Sequence, residues 1–430
     1  MVVLLRPGRA RSELTMSTQN AIQSAAANHV AAEPRRVTVF DTTLRDGEQT
    51  AGVCFSTDDK IEIALALAEM GVDVIEAGFP INSPGECRAV AEVAAHVRGA
   101  SVCALARAVP KDVAAAGEAL RHAEAPRIHV FVNSSDMQMA HQLRKTREQV
   151  VEMAAAMVRS AREFTDDVEF SPMDATRADR AFIAELARAA AGAGAGTINL
   201  PDTVGYATPE QVARLVEFVR VVLAQHAPEA VVSFHGQDDL GLATANAIAA
   251  IAAGAEQVEL AVNGIGERAG NTAFEEVVAA LSVHGERLGV VCGVDPRGIG
   301  RVSDLVERRS GIPVAPNKAV VGRNAFRHAS GIHQDGVLKE RETYEVLDPG
   351  AVGHQVGTQI VLGKLSGRTG FEQRVRALGY RLSEAPLEKA FRRFQEVAAH
   401  TPEVSDADLH VICQGIGSQR RAVPGFAIDL

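Results

Sequence analysis

The 430-residue sequence lacks the features that would direct a chain outside the cytoplasm. Its five cysteines are scattered, with no CxxC pair and no zinc-ligand spacing, which argues against a disulfide framework and favours a reducing compartment. The first apolar run, residues 2–5, is too short for a signal peptide or a membrane span. We therefore expect a cytoplasmic protein with a disordered tail over residues 1–36, for which a transit peptide is the weaker alternative and Met16 an alternative start.

Two further classes of function are disfavoured by what is missing. The net charge is −10, and no basic run is interleaved with aromatic residues, so we expect no nucleic-acid partner. No GxGxxG motif opens a helix after the first strand candidate, which argues against a dinucleotide-binding fold. The composition, 47% hydrophobic and 23% charged, is ordinary for a globular enzyme with one large domain and an appendage.

Short β-branched runs alternate with Ala-rich stretches of helical period from Val37 onward. The strand candidates are residues 37–41, 72–78, 101–106, 127–132, 167–171, 196–201, 231–236 and 255–262. Eight such βα units predict an α/β fold of the TIM (β/α)8 barrel type, with an open doubly wound sheet as the alternative. We assign residues 37–284 to this barrel, and 285–430, where glycine and proline become frequent, to a linker and a smaller, mainly helical subdomain.

Polar residues follow nearly every strand candidate, at the end of a barrel where active sites lie. These residues are Asp41, Arg45, Asp46, Glu48, Glu76, Arg107, Asp202, Thr203, His235, Gln237, Asn263, Glu267, Arg268 and Asn271. An Asp and a His with amide oxygens nearby suit a divalent cation of the Mg, Mn or Zn type, which could hold a 2-oxo acid. Arg45 could then neutralise charge on the keto oxygen, and Thr197 could bind the substrate carboxylate. Salt bridges between loops explain Glu76 and Arg268 equally well.

Several motifs occur in order along residues 37 to 410. They are FDTTLRDGEQTAGVCFSTDDK, EAGFPINSPGE, ALARA, INLPDTVGY, DDLGLATAN, NGIGERAGN and GIHQDGVLKERETYE. The chain closely resembles the 2-isopropylmalate synthase and homocitrate synthase family of metal-dependent acyl-CoA condensing enzymes. NLPDTVGY, VGRNAF and GIHQDG are most similar to the isopropylmalate branch.

This resemblance implies a TIM barrel, a linker subdomain and a homodimer in which the partner's subdomain covers the active site. The implied reaction condenses acetyl-CoA with a 2-oxo acid and hydrolyses the thioester, as in leucine biosynthesis. The motifs carry the following roles onto this chain: metal ligands at Asp41, His235, Gln237 and Asn271; substrate contacts at Arg45, Arg107, Gln138, Met173 and Thr197; and catalytic groups at Arg45, Glu48, His333 and Tyr344.

Four positions depart from the family pattern. Gln237 replaces the second His of an HxH pair, and Met173 replaces a Glu near the substrate. Gln138 and Leu365 each replace a His. Because a neutral amide is a poorer zinc ligand than imidazole, we expect weaker metal binding and a preference for Mg or Mn.

These departures leave alternatives open. The enzyme could use another 2-oxo acid, of the homocitrate, citramalate, R-citrate or phosphinomethylmalate type. It could be a catalytically impaired paralogue with an association or regulatory role; a lyase or aldolase is a third reading, disfavoured by the GIHQDG module. We expect no C-terminal leucine-binding domain and hence no inhibition by leucine.

Overall fold

The computed structural model describes residues 33–416 of the chain. Most of the expected disordered tail, including Met16, lies outside the described residues. The last two residues of that expected tail are ordered instead, because the first strand begins at Arg35.

Eight parallel strands close into a barrel, which confirms the predicted TIM-barrel class and excludes the open sheet. The strands are β1 Arg35–Asp41, β2 Val74–Gly78, β3 Ser101–Arg107, β4 Pro126–Asn133, β5 Asp167–Met173, β6 Thr197–Asp202, β7 Val231–Gly236 and β8 Gln257–Leu260. Each strand pairs with the next, and β1 pairs with both β2 and β8. All predicted strand ends lie within two residues of those observed.

An amphipathic helix follows each barrel strand. These helices are α1 Thr57–Glu69, α2 Pro84–His96, α3 Pro110–Ala119, α4 Arg147–Ala161, α5 Arg180–Gly192, α6 Pro209–His226, α7 Ala243–Ala252 and α8 Phe274–Leu288. Helix α1 begins with a capping box in which Ser56 and Asp59 satisfy each other's backbone N–H groups. Within residues 33–416, no helix is long and apolar enough to cross a membrane.

Short helical turns complete the loops of the barrel and of the following region. They are Gly47–Gln49, Pro80–Asn82, Asp136–Gln138, Met139–Leu143, Ala175–Arg177, Val262–Gly264, Pro296–Gly298, Arg341–Thr343 and Gly350–Val352.

Side chains alternate between the two faces of each barrel strand, and the inner face is unusually polar. On β4, Ile128 and Val130 join the hydrophobic core beneath the helices, whereas the intervening His129 bonds across the barrel interior. TIM-barrel interiors are usually filled by branched apolar side chains. Here much of the interior is a buried hydrogen-bonded network, which continues toward the carboxyl ends of the strands.

The region after the barrel begins by extending it. Strand β9, Val290–Cys292, pairs in parallel with β1, and helix α9, Ile299–Ser310, packs against α1. The remaining elements are β10 Arg327–His328, α10 Gly331–Lys339, β11 Gln359–Ile360, α11 Arg368–Ala377, α12 Glu384–Ala398 and α13 Asp406–Gln414. Helices α11 to α13 enclose a separate hydrophobic core, built around Phe371, Tyr380 and Phe394.

Candidate active site

A cavity of about 220 Å³ opens at the carboxyl ends of the barrel strands. Its lining consists of Arg45, Asp46, Gln49, Phe79, Leu105, His129, Phe131, Ser171, Met173, Asn199, Pro201, Thr203, His235, Gln237, Glu259, Glu267 and Arg268. Charged and polar side chains from the β1, β7 and β8 sides face apolar side chains from β3 to β6. This position matches the active-site end of TIM-barrel enzymes.

Asp46, His235 and Gln237 form the tightest cluster of polar atoms in this cavity. Gln237 Nε2 donates to Asp46 Oδ2 at 2.7 Å and lies 3.2 Å from His235 Nε2. His235 Nε2 is 3.5 Å from the same Asp46 oxygen. His235 Nδ1 contacts Glu259 Oε2 at 2.8 Å, which orients the ring so that Nε2 faces the cluster.

The loop after β1 carries Asp46 over the barrel mouth. The backbone N–H groups of Asp46 and Gly47 both donate to the carbonyl of Thr42, at 2.9 and 3.0 Å, and the turn Gly47–Gln49 follows. The loop therefore folds back on itself, so a residue five positions beyond the strand lies above the barrel interior.

The structure places Asp46, rather than the predicted ligand Asp41, beside His235 and Gln237. Asp41 shares a strand face with Val39, which packs in the core beneath the helices, whereas Phe40 points into the barrel. Both Asp41 carboxylate oxygens accept bonds of 2.9 Å from Thr43, and Asp41 does not line the cavity. Complete burial raises the pKa of Asp41 to about 7.

Two buried amide oxygens beside the cluster have no hydrogen-bond partner among residues 33–416. They are Gln237 Oε1 and Asn271 Oδ1, on side chains that are only 5% and 3% exposed. The two residues form an isolated backbone bridge, and Asn271 lines an adjoining cavity. A buried acceptor without a partner costs about 1–3 kcal/mol, so a ligand that these two oxygens bind would offset that cost.

Charged groups around the cluster stabilise each other. Arg45 Nε donates to Glu76 Oε2 at 2.6 Å, and Arg45 Nη1 lies 3.5 Å from Asp46. Burial opposes ionisation of Glu76, but the charge of Arg45 and the bond from His129 hold the pKa of Glu76 below its usual range. Burial likewise opposes protonation of His235, but Glu259 raises the pKa of His235 above its usual value.

Beneath the cluster, a chain of hydrogen bonds crosses the barrel interior. His129 Nδ1 contacts Glu76 Oε1 at 2.9 Å, and His129 Nε2 contacts Ser171 Oγ at 2.7 Å. Asn199 Nδ2 donates to the same Ser171 oxygen at 2.9 Å. His129, Ser171 and Asn199 were not among the predicted site residues, although inward alternation along β4 to β6 was a signal that could have identified them.

The opposite wall of the cavity is apolar. It consists of Phe79, Leu105, Phe131, Met173 and Pro201. Met173 therefore lies where the sequence placed it, at the edge of the candidate substrate cavity. The side chains of this wall carry no charge.

Thr197 and Thr203 lie at opposite ends of β6. Thr197 is buried at the start of the strand, beside Glu169, and does not line the cavity. Thr203 follows the strand and does line it, and its hydroxyl accepts a 2.9 Å bond from the backbone N–H of Asp174. The structure thus places Thr203, rather than the predicted Thr197, on the cavity lining.

Three further predicted site residues lie outside the cavity lining. Arg107 is half exposed and forms a 2.6 Å ion pair with Asp112. Glu48 forms a 2.7 Å ion pair with the buried Lys60. Gln138 accepts a 3.0 Å bond from Asn133. These contacts hold loops in place rather than face the cavity.

His333 and Tyr344, the predicted catalytic pair, belong to the region after the barrel. Their rings stack with centroids 4.1 Å apart, so the structure brings the two residues together. Neither lines the barrel cavity, and Tyr344 is 43% exposed. Leu365, one of the departures from the family pattern, is 74% exposed.

Comparison with known proteins identifies both parts of the chain. Residues 36–306 match the family described as HMGL-like, and residues 320–402 match the homocitrate synthase post-HMGL domain-like family. A 2-isopropylmalate synthase of Pyrococcus furiosus is 53% identical over 88% of this chain and 76% of its own length. The 2-isopropylmalate synthase of Pelotomaculum thermopropionicum is 49% identical over 91% of this chain and 76% of its own.

A solved structure shares the barrel. Hydroxymethylglutaryl-CoA lyase from Pseudomonas aeruginosa superposes with a TM-score of 0.55 at 26% identity, covering 65% of this chain and 95% of the lyase. This likeness supports the barrel fold.

Proposed function

Because the chain belongs to the 2-isopropylmalate synthase family, we propose that it is an acyltransferase that joins acetyl-CoA to a 2-oxo acid and releases CoA. The reaction consumes acetyl-CoA, a 2-oxo acid and water, and yields a 2-alkylmalate and free CoA. The observation that carries this proposal is the convergence of Asp46, His235 and Gln237 beside Arg45 in one cavity. These groups can bind and polarise a 2-oxo acid.

The donor set at this cluster fits a divalent cation. Asp46 and His235 supply a carboxylate oxygen and an imidazole nitrogen, and a rotated Gln237 amide would turn its unpartnered oxygen toward them. Asn271 offers a second unpartnered oxygen. Because three of these four donors are oxygens, we propose Mg or Mn rather than Zn. Such an ion would polarise the keto group of the substrate.

The cavity's own side chains would orient the 2-oxo acid. Arg45 faces the charge that develops on the keto oxygen, and the Thr203 hydroxyl can donate to the carboxylate. The alkyl group would then lie against the uncharged wall that includes Phe131 and Met173. This wall favours a branched alkyl group, as in 2-oxoisovalerate, because the second carboxylate of 2-oxoglutarate or oxaloacetate would be buried there without a partner.

We further propose that the active form is a homodimer. His333 and Tyr344 do not line the cavity of their own chain, yet their stacked rings are exposed. A second copy could bring this pair over the cavity and complete the acyl-CoA side of the site. Cytoplasmic location stays a prediction from the scattered cysteines.

A thiol-release assay tests the proposed function. Acetyl-CoA is supplied with Mg or Mn and with 2-oxoisovalerate, 2-oxoglutarate, pyruvate, oxaloacetate and phosphorus-bearing analogues in turn. We expect the fastest CoA release with 2-oxoisovalerate. Faster release with a dicarboxylic 2-oxo acid would contradict the assigned alkyl wall. No release with any acid would favour the impaired paralogue, and no saturable Mn binding by calorimetry would contradict the metal site.

A further inference from the structure

Glu76, His129 and Ser171 form a linear hydrogen-bonded series that ends at the candidate cavity. The two contacts of the His129 ring, 2.9 Å to Glu76 and 2.7 Å to Ser171, use both ring nitrogens. Ser171 lines the cavity although its side chain is only 3% exposed. The order of a carboxylate, an imidazole and a hydroxyl is the arrangement through which enzymes move protons.

The hydroxyl of Ser171 has only one direction left for its proton. A serine oxygen accepts through two lone pairs and donates one proton. When His129 is protonated, its Nε2–H donates to Ser171 Oγ, and Asn199 Nδ2–H donates to the same oxygen. Both lone pairs are then occupied, so the Ser171 proton must be donated elsewhere. The cavity that Ser171 lines offers that direction.

Glu76 connects this series to Arg45, the positively charged side chain that would face the substrate. One Glu76 oxygen accepts from His129 Nδ1, and the other accepts from Arg45 Nε at 2.6 Å. Thr42 Oγ1 donates to the latter oxygen at 2.7 Å. One fixed carboxylate thus positions both the group that would stabilise negative charge on the keto oxygen and the group that could deliver a proton there.

We infer that Ser171 donates the proton that converts the alkoxide of the condensation step into the product's hydroxyl group, and that His129, oriented by Glu76, supplies Ser171 with that proton. This inference rests on the proposed function. Ser171 is the catalytic group in this inference because it lines the cavity that would hold the reacting atoms, and His129 and Glu76 act through it as positioning residues.

The protons balance over one turnover. A base removes a methyl proton of acetyl-CoA and later releases it to water. Addition of the resulting carbanion to the keto carbon forms a carbon–carbon bond and leaves an alkoxide. The Ser171 proton moves to that oxygen as the His129 Nε2 proton moves to Ser171 Oγ. The neutral imidazole left behind keeps its Nδ1–H toward Glu76. The imidazole is reprotonated by the proton that is released when water hydrolyses the thioester to a carboxylate.

The surroundings of His129 keep its ring protonated near neutral pH, so that the proton relay from His129 through Ser171 can operate. Titratable groups face the ring from four neighbouring strands: Glu76 on β2, Cys103 on β3, Glu169 on β5 and Glu259 on β8. Arg45, after β1, is paired with Glu76. Burial opposes protonation, but the bond to Glu76 and the three carboxylates raise the pKa of His129 to about 8. A general acid works while protonated, so its contribution is lost as pH rises above about 8.

The decisive measurement is the dependence of kcat on pH for the full chain and for Ser171→Ala. We expect wild-type kcat to fall as pH rises past about 8. In Ser171→Ala we expect kcat to drop about 100-fold with KM changed less than about threefold, and the fall above pH 8 to disappear. A variant that keeps kcat within about threefold and the wild-type profile would overturn the relay.

Ser233→Ala is the matched control. Ser233 is also a buried serine inside the barrel, where it accepts a 3.0 Å bond from Gln257, but it does not line the cavity. Its substitution should leave the pH profile unchanged. A profile altered equally in both variants would show that the effect reflects general loss of barrel packing and would contradict the relay.

A second readout separates failure of the relay from failure of the proposed function. Nitrogen NMR of labelled histidines follows His129 without any turnover, its signal being assigned by its shift in Ser171→Ala. A His129 ring that stays protonated to about pH 8 supports the relay, and a ring that is neutral at pH 7 contradicts it. Absence of CoA release by the wild type would contradict the proposed function alone.

Discussion

The barrel cavity and the region around His333 hold their candidate functional groups in opposite ways. At the cavity, Asp46, His235 and the adjoining Glu76 are buried, and side chains of the same chain orient each of them at 2.6 to 2.8 Å. His333 and Tyr344 are exposed, and their ring stack at 4.1 Å is the contact between them. A buried site is organised in advance, whereas an exposed pair can act only on something outside its own fold.

Replacing Asp46 gives the sharpest test of the cavity. We expect Asp46→Asn to abolish measurable Mn binding and to lower kcat/KM at least about 10³-fold. Without its carboxylate ligand, the site would lose the cation that stabilises the negative charge developing on the substrate. Calorimetry and the thiol-release assay measure these effects.

Asp41→Asn is the matched control, since Asp41 contacts Thr43 on the other face of β1. We expect this variant to bind Mn with wild-type affinity. If Asp41→Asn lost the metal and Asp46→Asn kept it, the assignment of the carboxylate ligand would be reversed.

Replacing His333 tests the exposed pair. We expect His333→Ala to lower kcat about 100-fold. We also expect the free energy of unfolding to change by less than about 0.5 kcal/mol, because exposed side chains contribute little to stability. Thiol release and urea denaturation provide the two values. His96→Ala, at another exposed histidine, should change neither, and full activity in His333→Ala would leave the pair without a catalytic role.

Shortening Met173 tests the apolar wall. We expect Met173→Ala to shift the kcat/KM ratio toward a 2-oxo acid with a longer alkyl group by about 20-fold, because methylene discrimination is worth about 1–3 kcal/mol. Competing substrates in the thiol-release assay give this ratio. Met157→Ala, at a partly buried methionine of α4, should leave the ratio unchanged. Equal ratios in both variants would mean that Met173 does not contact the alkyl group.

Restoring an imidazole at position 237 should have the smallest effect. We expect Gln237→His to tighten Mn or Zn binding about tenfold, since imidazole is the stronger ligand. His235→Gln, which removes the remaining imidazole, should weaken binding, and calorimetry compares the two. Unchanged affinity in Gln237→His would indicate that Gln237 serves the loop or the substrate instead of the ion.

Two of the predicted site residues lie close in sequence to residues that line the cavity. The predicted Asp41 and Thr197 lie within strands and outside the cavity lining. Asp46 and Thr203, which line the cavity, lie in the loops that follow. The path of the β1 loop back over the barrel could not be predicted from the residues, because it depends on backbone bonds to the Thr42 carbonyl.

His235 shows the opposite case. It lies at the inner face of β7, and its place in the cavity follows from the strand itself, because alternation along a strand determines which side chains point inward. The inward direction of His235 could therefore be predicted from strand spacing, whereas the path of the β1 loop that brings Asp46 to the cavity could not.

The sequence by itself determined the barrel, because the period of its apolar residues specifies eight strands and the helices that cover them. Only the tertiary structure decided which polar side chains meet. Asp46 and Gln237 are 191 positions apart in the chain, yet their side chains are hydrogen-bonded. Such a contact depends on barrel closure and loop path, and neither leaves a local pattern in the residues concerned.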